Sequence, residues 1–298
     1  MRELWVNRGL RTAAMVALIL ASRPAAAEDY RFRVVASGLS RPVGIAVEDS
    51  GTLYFTRVPT PGVAGGANSV SKLDLETGAL IVLHQGEPEP TNIALDRDGN
   101  IYWTCKSAGV ILERDEETGM TRALLTGLAR PTGIAVDRHG LVYFTEVPTP
   151  GVAGGSNRVV VSDGGPLRVL HAGEPEPTDI VVSKEGEIYW TCKSAGVILE
   201  QENGITRVLL AGLDHPSGIA LDKNGKTLFF TEVPTPGVPG NAGGRNKVWE
   251  LDLKTLGTRI VHDGDPEPTD VAVSKNGNVY WTCTSAGVIV EATPVRSE

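Results

Sequence analysis

Tyr102-Trp103-Thr104-Cys105-Lys106-Ser107-Ala108-Gly109-Val110-Ile111 occurs three times in this chain. Residues 189–198 repeat it unchanged, and residues 280–289 differ only in Thr284, where lysine stands in the other two. Two more segments travel with it. Val58-Pro59-Thr60-Pro61-Gly62-Val63 recurs at 147–152 and 233–238, and Glu87-Pro88-Glu89-Pro90-Thr91 recurs at 174–178 and, with aspartate first, at 265–269. Self-similarity at a long, nearly fixed period marks a repeat architecture.

Each long unit divides into halves. Pro42-Val43-Gly44-Ile45-Ala46-Val47 and Pro90-Thr91-Asn92-Ile93-Ala94-Leu95 are variants of one pattern, which starts again at Pro131, Pro177, Pro216 and Pro268. A polar turn follows each, such as Asp96-Arg97-Asp98-Gly99-Asn100, and then an aromatic run, such as Ile101-Tyr102-Trp103-Thr104. Short β-rich runs between Gly, Asp and Asn turns read as antiparallel strands, and no stretch after residue 27 carries a helical period. Four short strands in each of six halves predict an all-β fold: a six-bladed β-propeller of three tandem two-blade repeats.

The closure of the ring is also written in the repeats. The second half of the first two units ends in a strand, at 121–128 and 206–213, whereas the sequence stops at Glu298 without one. Phe32-Arg33-Val34-Val35-Ala36-Ser37-Gly38-Leu39 has the missing pattern. The N-terminal strand is therefore expected to pair into the sixth blade and close the ring, removing open sheet edges.

The pattern Pro-Xaa-Gly-Ile-Ala-Val-Asp, polar turn, Tyr-Phe-Thr-acid resembles NHL-repeat propellers. Residues 131–137 with Tyr143-Phe144-Thr145-Glu146, and 216–222 with Phe229-Phe230-Thr231-Glu232, carry the likeness. The chain is similar also to the wider TolB-like group that includes the senescence-marker/gluconolactonase family and the streptogramin lyases, over roughly residues 30–292. The gluconolactonase resemblance implies a divalent-metal site with an acid near the first inner strand, an Asn in Pro-Asn-Gly and an Asp in Pro-Asp-Gly. Here the first inner strand opens Arg41-Pro42-Val43-Gly44, and Thr91, Thr178 and Thr269 fill the other matching slots. The lyases' catalytic histidine has no clear match. His139 and His215, the histidines that break the threefold pattern, read as turn residues.

Residues 1–27 read as a secretory signal peptide rather than as part of the fold. Arg2, Arg8 and Arg11 form a basic start, residues 12–21 a short apolar run, and Ala25-Ala26-Ala27 a small-residue cleavage site. An uncleaved anchor is the alternative. The propeller domain is then 28–298, and no later stretch is apolar enough to cross a membrane. The chain has a net charge of −8. Removing 1–27 takes away Arg2, Arg8, Arg11 and Arg23 against one acid, Glu3, so the remainder is more acidic still. That sign argues against nucleic acid as a partner. Three cysteines allow at most one internal disulfide.

In a propeller, the connections between blades and the turns joining the second and third strands share one face. All three repeated motifs fall there, and loops on a rigid scaffold carry binding. Nearest the axis should be Asn92, Asp179 and Asp270, alternating with Gly44, Gly133 and Gly218. Two carboxylates and an amide suit a hard cation, calcium or magnesium. The alternative is that they cap their own turns. Thr91, Thr178, Thr269, Glu89, Glu176 and Glu267 surround them as candidate ligand-binding residues. Arg57, Glu146 and Glu232 join that set because Arg57 breaks the repeat. Cys105, Cys192 and Cys283, with His84, His171 and His262, are the alternative set for a soft metal. Against this stands the ordinary role of free cysteine as a small buried apolar residue.

The expected function is an exported scaffold, periplasmic or secreted and monomeric, binding a small molecule or a protein or peptide on its loop-rich face. The alternatives are a divalent-metal hydrolase or lyase, and periplasmic soft-metal binding through the repeated Cys and His.

Overall fold

The computed structural model describes residues 30–59, 67–86, 88–148, 157–173, 176–234 and 246–295. The signal-peptide reading of 1–27, most of the Pro-Thr-Pro-Gly loops, Glu87 and Glu174 lie outside the described residues.

Strand β1 is Tyr30–Ala36. Blade one holds β2 Pro42–Val47, β3 Thr52–Arg57, β4 Ser69–Asp74 and β5 Leu80–Gln85. Blade two holds β6 Pro90–Leu95, β7 Ile101–Cys105, β8 Val110–Arg114 and β9 Thr121–Leu125. Blade three holds β10 Pro131–Val136, β11 Val142–Glu146, β12 Arg158–Ser162 and β13 Arg168–Ala172. Blade four holds β14 Pro177–Val182, β15 Ile188–Cys192, β16 Val197–Glu202 and β17 Ile205–Ala211. Blade five holds β18 Pro216–Leu221, β19 Thr227–Glu232, β20 Lys247–Asp252 and β21 Thr258–Asp263. Blade six holds β22 Pro268–Val273, β23 Val279–Cys283 and β24 Val288–Pro294, with β1 as its outer strand. The protein is an all-β, six-bladed propeller, and its described residues include no helix.

The closure has the expected register. β1 runs antiparallel to β24 from Tyr30 opposite Pro294 to Ala36 opposite Ile289. The Leu39 N–H then donates to the Gly287 carbonyl at 2.9 Å, as Leu128 does to Gly109 and Leu213 to Gly196 at the same distance. These glycines are at φ 64–65°, and a Cβ on any of them would lie 2.2–2.5 Å from the leucine carbonyl oxygen. Only glycine tolerates both conditions.

Blades pack on each other with both faces, so the second strand of each is buried throughout its aromatic centre. Phe55, Trp103, Phe144, Trp190, Phe230 and Trp281 alternate around the ring with no exposed surface. The neighbouring tyrosines and phenylalanines, such as Tyr54 and Phe229, face the opposite blade.

Candidate binding site at the axial face

Each inner strand begins at the proline of a half-repeat, and each meets its second strand with the same irregularity. The register slips between the proline and the third residue after it: Pro42/Ile45, Pro90/Ile93, Pro131/Ile134, Pro177/Ile180, Pro216/Ile219 and Pro268/Val271. A bulge withdraws N–H groups from the ladder, and buried N–H groups must find other partners. A fully buried threonine on each second strand supplies one. Thr56, Thr104, Thr145, Thr191, Thr231 and Thr282 accept the N–H of Gly44, Asn92, Gly133, Asp179, Gly218 and Asp270 at 2.8–3.2 Å. The same six hydroxyls donate to the next blade's inner strand, at the carbonyls of Thr91, Thr132, Thr178, Ser217, Thr269 and Val43. A closed ring of hydroxyls therefore ties each blade to the next around the axis.

Three tiers of six residues succeed one another at the starts of the inner strands on this framework. The outermost is the residue before each proline: Arg41, Glu89, Arg130, Glu176, His215 and Glu267, basic and acidic in turn. All six have left-handed φ between 46° and 56°. That region is sparsely populated by residues other than glycine, and proline restricts the residue before it further. The carbonyls so turned accept the N–H of Val58, Lys106, Val147, Lys193, Val233 and Thr284 at 3.0–3.2 Å. These bonds tie each inter-blade connection to the turn between the second and third strands, which puts both on one face. Ser107, Ser194 and Ser285, from the Cys-Xaa-Ser turns, donate to the carboxylates of Glu89, Glu176 and Glu267.

The middle tier is Val43, Thr91, Thr132, Thr178, Ser217 and Thr269. It rings a cup of about 110 Å³ that Lys106 also lines. Burial holds the Lys106 ammonium below its usual pKa against the pull of Glu89 and Glu176.

The innermost tier alternates Gly44, Gly133 and Gly218 with Asn92, Asp179 and Asp270, which form the cup's floor. A Cβ on the three glycines would stand 2.5–2.7 Å from the Cα of Asn92, Asp179 and Asp270, so the strands approach this closely only where glycine sits. Asn92 Nδ2 donates to Asp179 Oδ1 at 2.7 Å, and Asp179 is hydrogen-bonded to Asp270. Each carboxylate also takes two backbone amides at 2.8 Å. Asp179 accepts Ile180 and, across the blade boundary, Ile219; Asp270 accepts Val271 and, across the boundary that closes the ring, Ile45. Burial raises the Asp179 carboxyl to about 6, and burial with the neighbouring Asp179 charge raises Asp270 well above the usual range. Two hydrogen-bonded buried carboxyls share a proton more readily than both ionise.

The amide and the two carboxylates do meet at the axis, but every carboxylate oxygen is already used by a backbone N–H. Turn capping and convergence coexist: the carboxylate oxygens at the axis each spend a lone pair on a backbone N–H. Among the described residues no group of three or more His, Cys, Asp or Glu side chains is arranged to hold a metal ion. The set does not fit the divalent-metal site that the gluconolactonase resemblance implies.

Arg57, Glu146 and Glu232 are not brought together. They end the second strands of three different blades. Arg57 Nε donates to Ser69 Oγ at 2.9 Å and its Nη2 to Ser71 Oγ at 3.2 Å. Glu146, fully buried, accepts the Ala129 N–H at 2.6 Å and pairs with Arg158. Glu232 accepts the Asp214 N–H at 2.7 Å and Trp249 Nε1 at 2.6 Å. Both glutamates cap a neighbouring inter-blade connection, a task the guanidinium of Arg57 cannot perform.

Cys105, Cys192 and Cys283 form no disulfide and are wholly buried, each in an apolar cluster between blades. His84, His171 and His262 do reach the next blade, where they pack on Trp103, Trp190 and Trp281 with ring centroids 5.3–5.7 Å apart. Burial raises the Cys283 thiol well above its ordinary pKa, which suppresses the thiolate that a soft metal needs.

The charged tier before the prolines and the threonine ring escaped sequence reasoning in part. Their signals were present: a Thr follows every aromatic pair of the second strands, and Arg, Glu or His precedes every half-repeat proline.

No protein-family model and no curated protein matches the chain. Among solved structures, it is similar to a gluconolactonase from Xanthomonas campestris, with a TM-score of 0.71 at 17% identity over 91% of this chain and 92% of that one. A virginiamycin B lyase from Staphylococcus aureus matches with a TM-score of 0.61 at 17% identity, over 90% of this chain and all of that one. TolB from Acinetobacter baumannii matches with a TM-score of 0.62 at 13% identity, over 84% of this chain and 65% of that one. These likenesses establish the six-bladed fold that the NHL, gluconolactonase and TolB-like propellers share.

Proposed function

We propose that this protein is an exported binding scaffold, acting in the periplasm or outside the cell, whose axial cup takes one end of a small zwitterionic ligand. The observation that carries this reading is the tier of six residues before the prolines. Basic and acidic residues alternate before the six prolines, all on left-handed backbone that the fold holds at a conformational cost, and such cost concentrates where chains bind or react. A ligand bearing one charge of each sign finds an opposite partner in any of several rotations. The hydroxyls below, and Lys106, supply short-range hydrogen bonds.

The reading is tested with the mature chain at neutral pH against zwitterionic dipeptides, dicarboxylates and neutral disaccharides, by thermal shift and calorimetry. Dipeptides should stabilise the protein, and the Lys106→Gln variant should bind them about tenfold more weakly, the usual order for a lost charged hydrogen bond. Binding of the neutral sugars alone would overturn it.

A second reading, a hydrolase or lyase, rests on the hydrogen-bonded Asp179–Asp270 pair in the cup floor, where one carboxyl keeps its proton near neutrality and the other is ionised. General acid–base work uses such a pair. Turnover of a lactone or ester panel that disappears in Asp179→Asn would favour it, and insensitivity to chelator would separate it from metal catalysis.

A further inference from the structure

The rim of the ring is made of six outer strands, each ending its sheet. Five of the six carry an arginine at one equivalent position. Arg122 stands opposite Glu113 on the neighbouring strand, Arg207 opposite Glu200, Arg259 opposite Glu250 and Arg33 opposite Glu291, and each of the four is an ion pair. In blade three Arg168 stands opposite Val161. All five arginines are exposed. Charge on an outer strand keeps a sheet edge from pairing with another chain.

Blade one departs from this rule. The register puts Ile81 in the arginine's place, with Lys72 opposite. β5 reads Leu80-Ile81-Val82-Leu83-His84-Gln85, without Arg, Lys, Asp or Glu. Leu80, Ile81 and Val82 are 46%, 49% and 40% exposed, three apolar side chains in succession. Exposed Val169, Val208 and Ile260 occur on β13, β17 and β21, but each directly follows the strand's arginine. Lys72 lies one strand in from the edge and is paired, with Nζ 3.1 Å from Glu116 Oε1.

The backbone of this edge is also open. The Asp74 N–H donates to the Ala79 carbonyl at 3.0 Å. Antiparallel pairs alternate between bonded and non-bonded, so Lys72 and Ile81 form the next bonded pair, and Leu80 and Val82 turn their N–H and C=O groups outward. Just beyond, the register slips between Val70 and Ser71, and this bulge ends the regular edge. What remains is a short, apolar, uncharged edge centred on Ile81.

We propose that this edge pairs with the same edge of a second copy of the chain, antiparallel about a two-fold axis through Ile81. Leu80 of one copy then faces Val82 of the other and exchanges backbone hydrogen bonds with it. The two Ile81 side chains meet as a non-bonded pair, the arrangement in which side chains come closest. The same operation on any other blade would bring two arginines together and strip water from their charges, and like charges directly opposite are destabilising. Blade one's edge is thus the one complementary to itself, which is what selects a second copy as its occupant. A two-fold contact consumes the edge in both copies, so assembly stops at the dimer. The paired stretch is short, and the contact belongs with the weak class that buries less than about 1,200 Å². The monomer expected of a closed ring therefore gives way to a dimer only at high protein concentration. The contact lies on the rim, apart from the axial cup, and does not depend on what the cup binds.

The test is sedimentation velocity of the mature protein from about 5 to about 500 μM, the range over which a weak contact titrates. The mean mass should be that of the monomer at the lower end and approach twice that at the upper end. Ile81→Arg, which installs on an exposed site the residue of the other five blades, should stay monomeric throughout and keep the parent's melting temperature at the lower end. Val82→Lys carries the same test should Ile81→Arg lower that temperature. Val208→Arg, which adds the same charge at an exposed apolar site on β17, should dimerise like the parent. A parent that stays monomeric at the highest concentration, undiminished association of the Ile81→Arg and Val82→Lys variants, or growth beyond the dimer would overturn the proposal.

Discussion

Thr104 is a small side chain with two obligations. It accepts the Asn92 N–H at 3.1 Å and donates to the Thr132 carbonyl at 2.7 Å, with no exposed surface. Thr104→Val keeps the shape and strands both backbone partners. Each unsatisfied buried group costs about 1–3 kcal/mol, so a loss of a few kcal/mol is expected in denaturant unfolding. Thr104→Ser, which keeps the hydroxyl, should recover most of it. Asp179 and Asp270 make a prediction of opposite character. The folded Asp179 carboxyl holds its proton up to about 6, against an ordinary 3.8. Its contribution to stability is therefore full below the lower value and is lost as pH rises through about 6. Melting temperature followed across that window should fall with rising pH from this pair, and Asp270→Asn should flatten the fall. At this scale the sequence was half legible. It placed Asn92, Asp179 and Asp270 at the axis through their alternation with glycine. It could not reveal that backbone amides occupy their oxygens, because those amides are freed by bulges that no residue type announces.

Strands, turns and their order were the legible part. Six prolines begin six inner strands, and Phe32 to Leu39 was identified as the missing outer strand by its pattern alone; the observed β1 starts slightly earlier, at Tyr30. β1 supplies the outer edge of blade six and buries Tyr30 and part of Phe32 against it. Deleting residues 28–39 should lower the melting temperature of the whole ring by well over ten degrees and favour association through the bared edge of β24; an unchanged, monomeric melting profile would refute the closure. Gly109 offers a more local test. Gly109→Ala places a Cβ 2.5 Å from the Leu128 carbonyl oxygen at a φ of 65°, and destabilisation of about 1–3 kcal/mol is expected from the backbone conformation alone. What pattern reading could not reach at this scale was the fate of Arg57, Glu146 and Glu232. They occupy matching ends of second strands, a third of a turn apart and one strand out from the axis, so their side chains do not meet as those of Asn92 and Asp179 do at the axis itself.

For the molecule as a whole, repetition is both the reason the fold was readable and the reason the function was less so. Three near-copies give three equivalent stations around one axis, so no single station stands out as a reaction centre. The departures are few: Val43 among hydroxyls, His215 among arginines, Thr284 in place of a lysine, and Asp49 among cations on the far face. They break the symmetry of two axial openings, a hydroxyl-lined cup on one side and, on the other, a tube walled by the inner strands that opens between acidic and basic turns. The buried Asn92–Asp179–Asp270 floor lies between them. The central claim is that the alternating charges before the six prolines form a ligand site. Its most direct test is calorimetric titration of the mature protein, and of its Glu89→Gln/Glu176→Gln/Glu267→Gln variant, with alanyl-alanine at neutral pH. The account predicts saturable binding to the parent and a loss of at least tenfold in the variant, whose fold is unaltered by melting temperature. Equal binding by both proteins, or none by the parent, would contradict it.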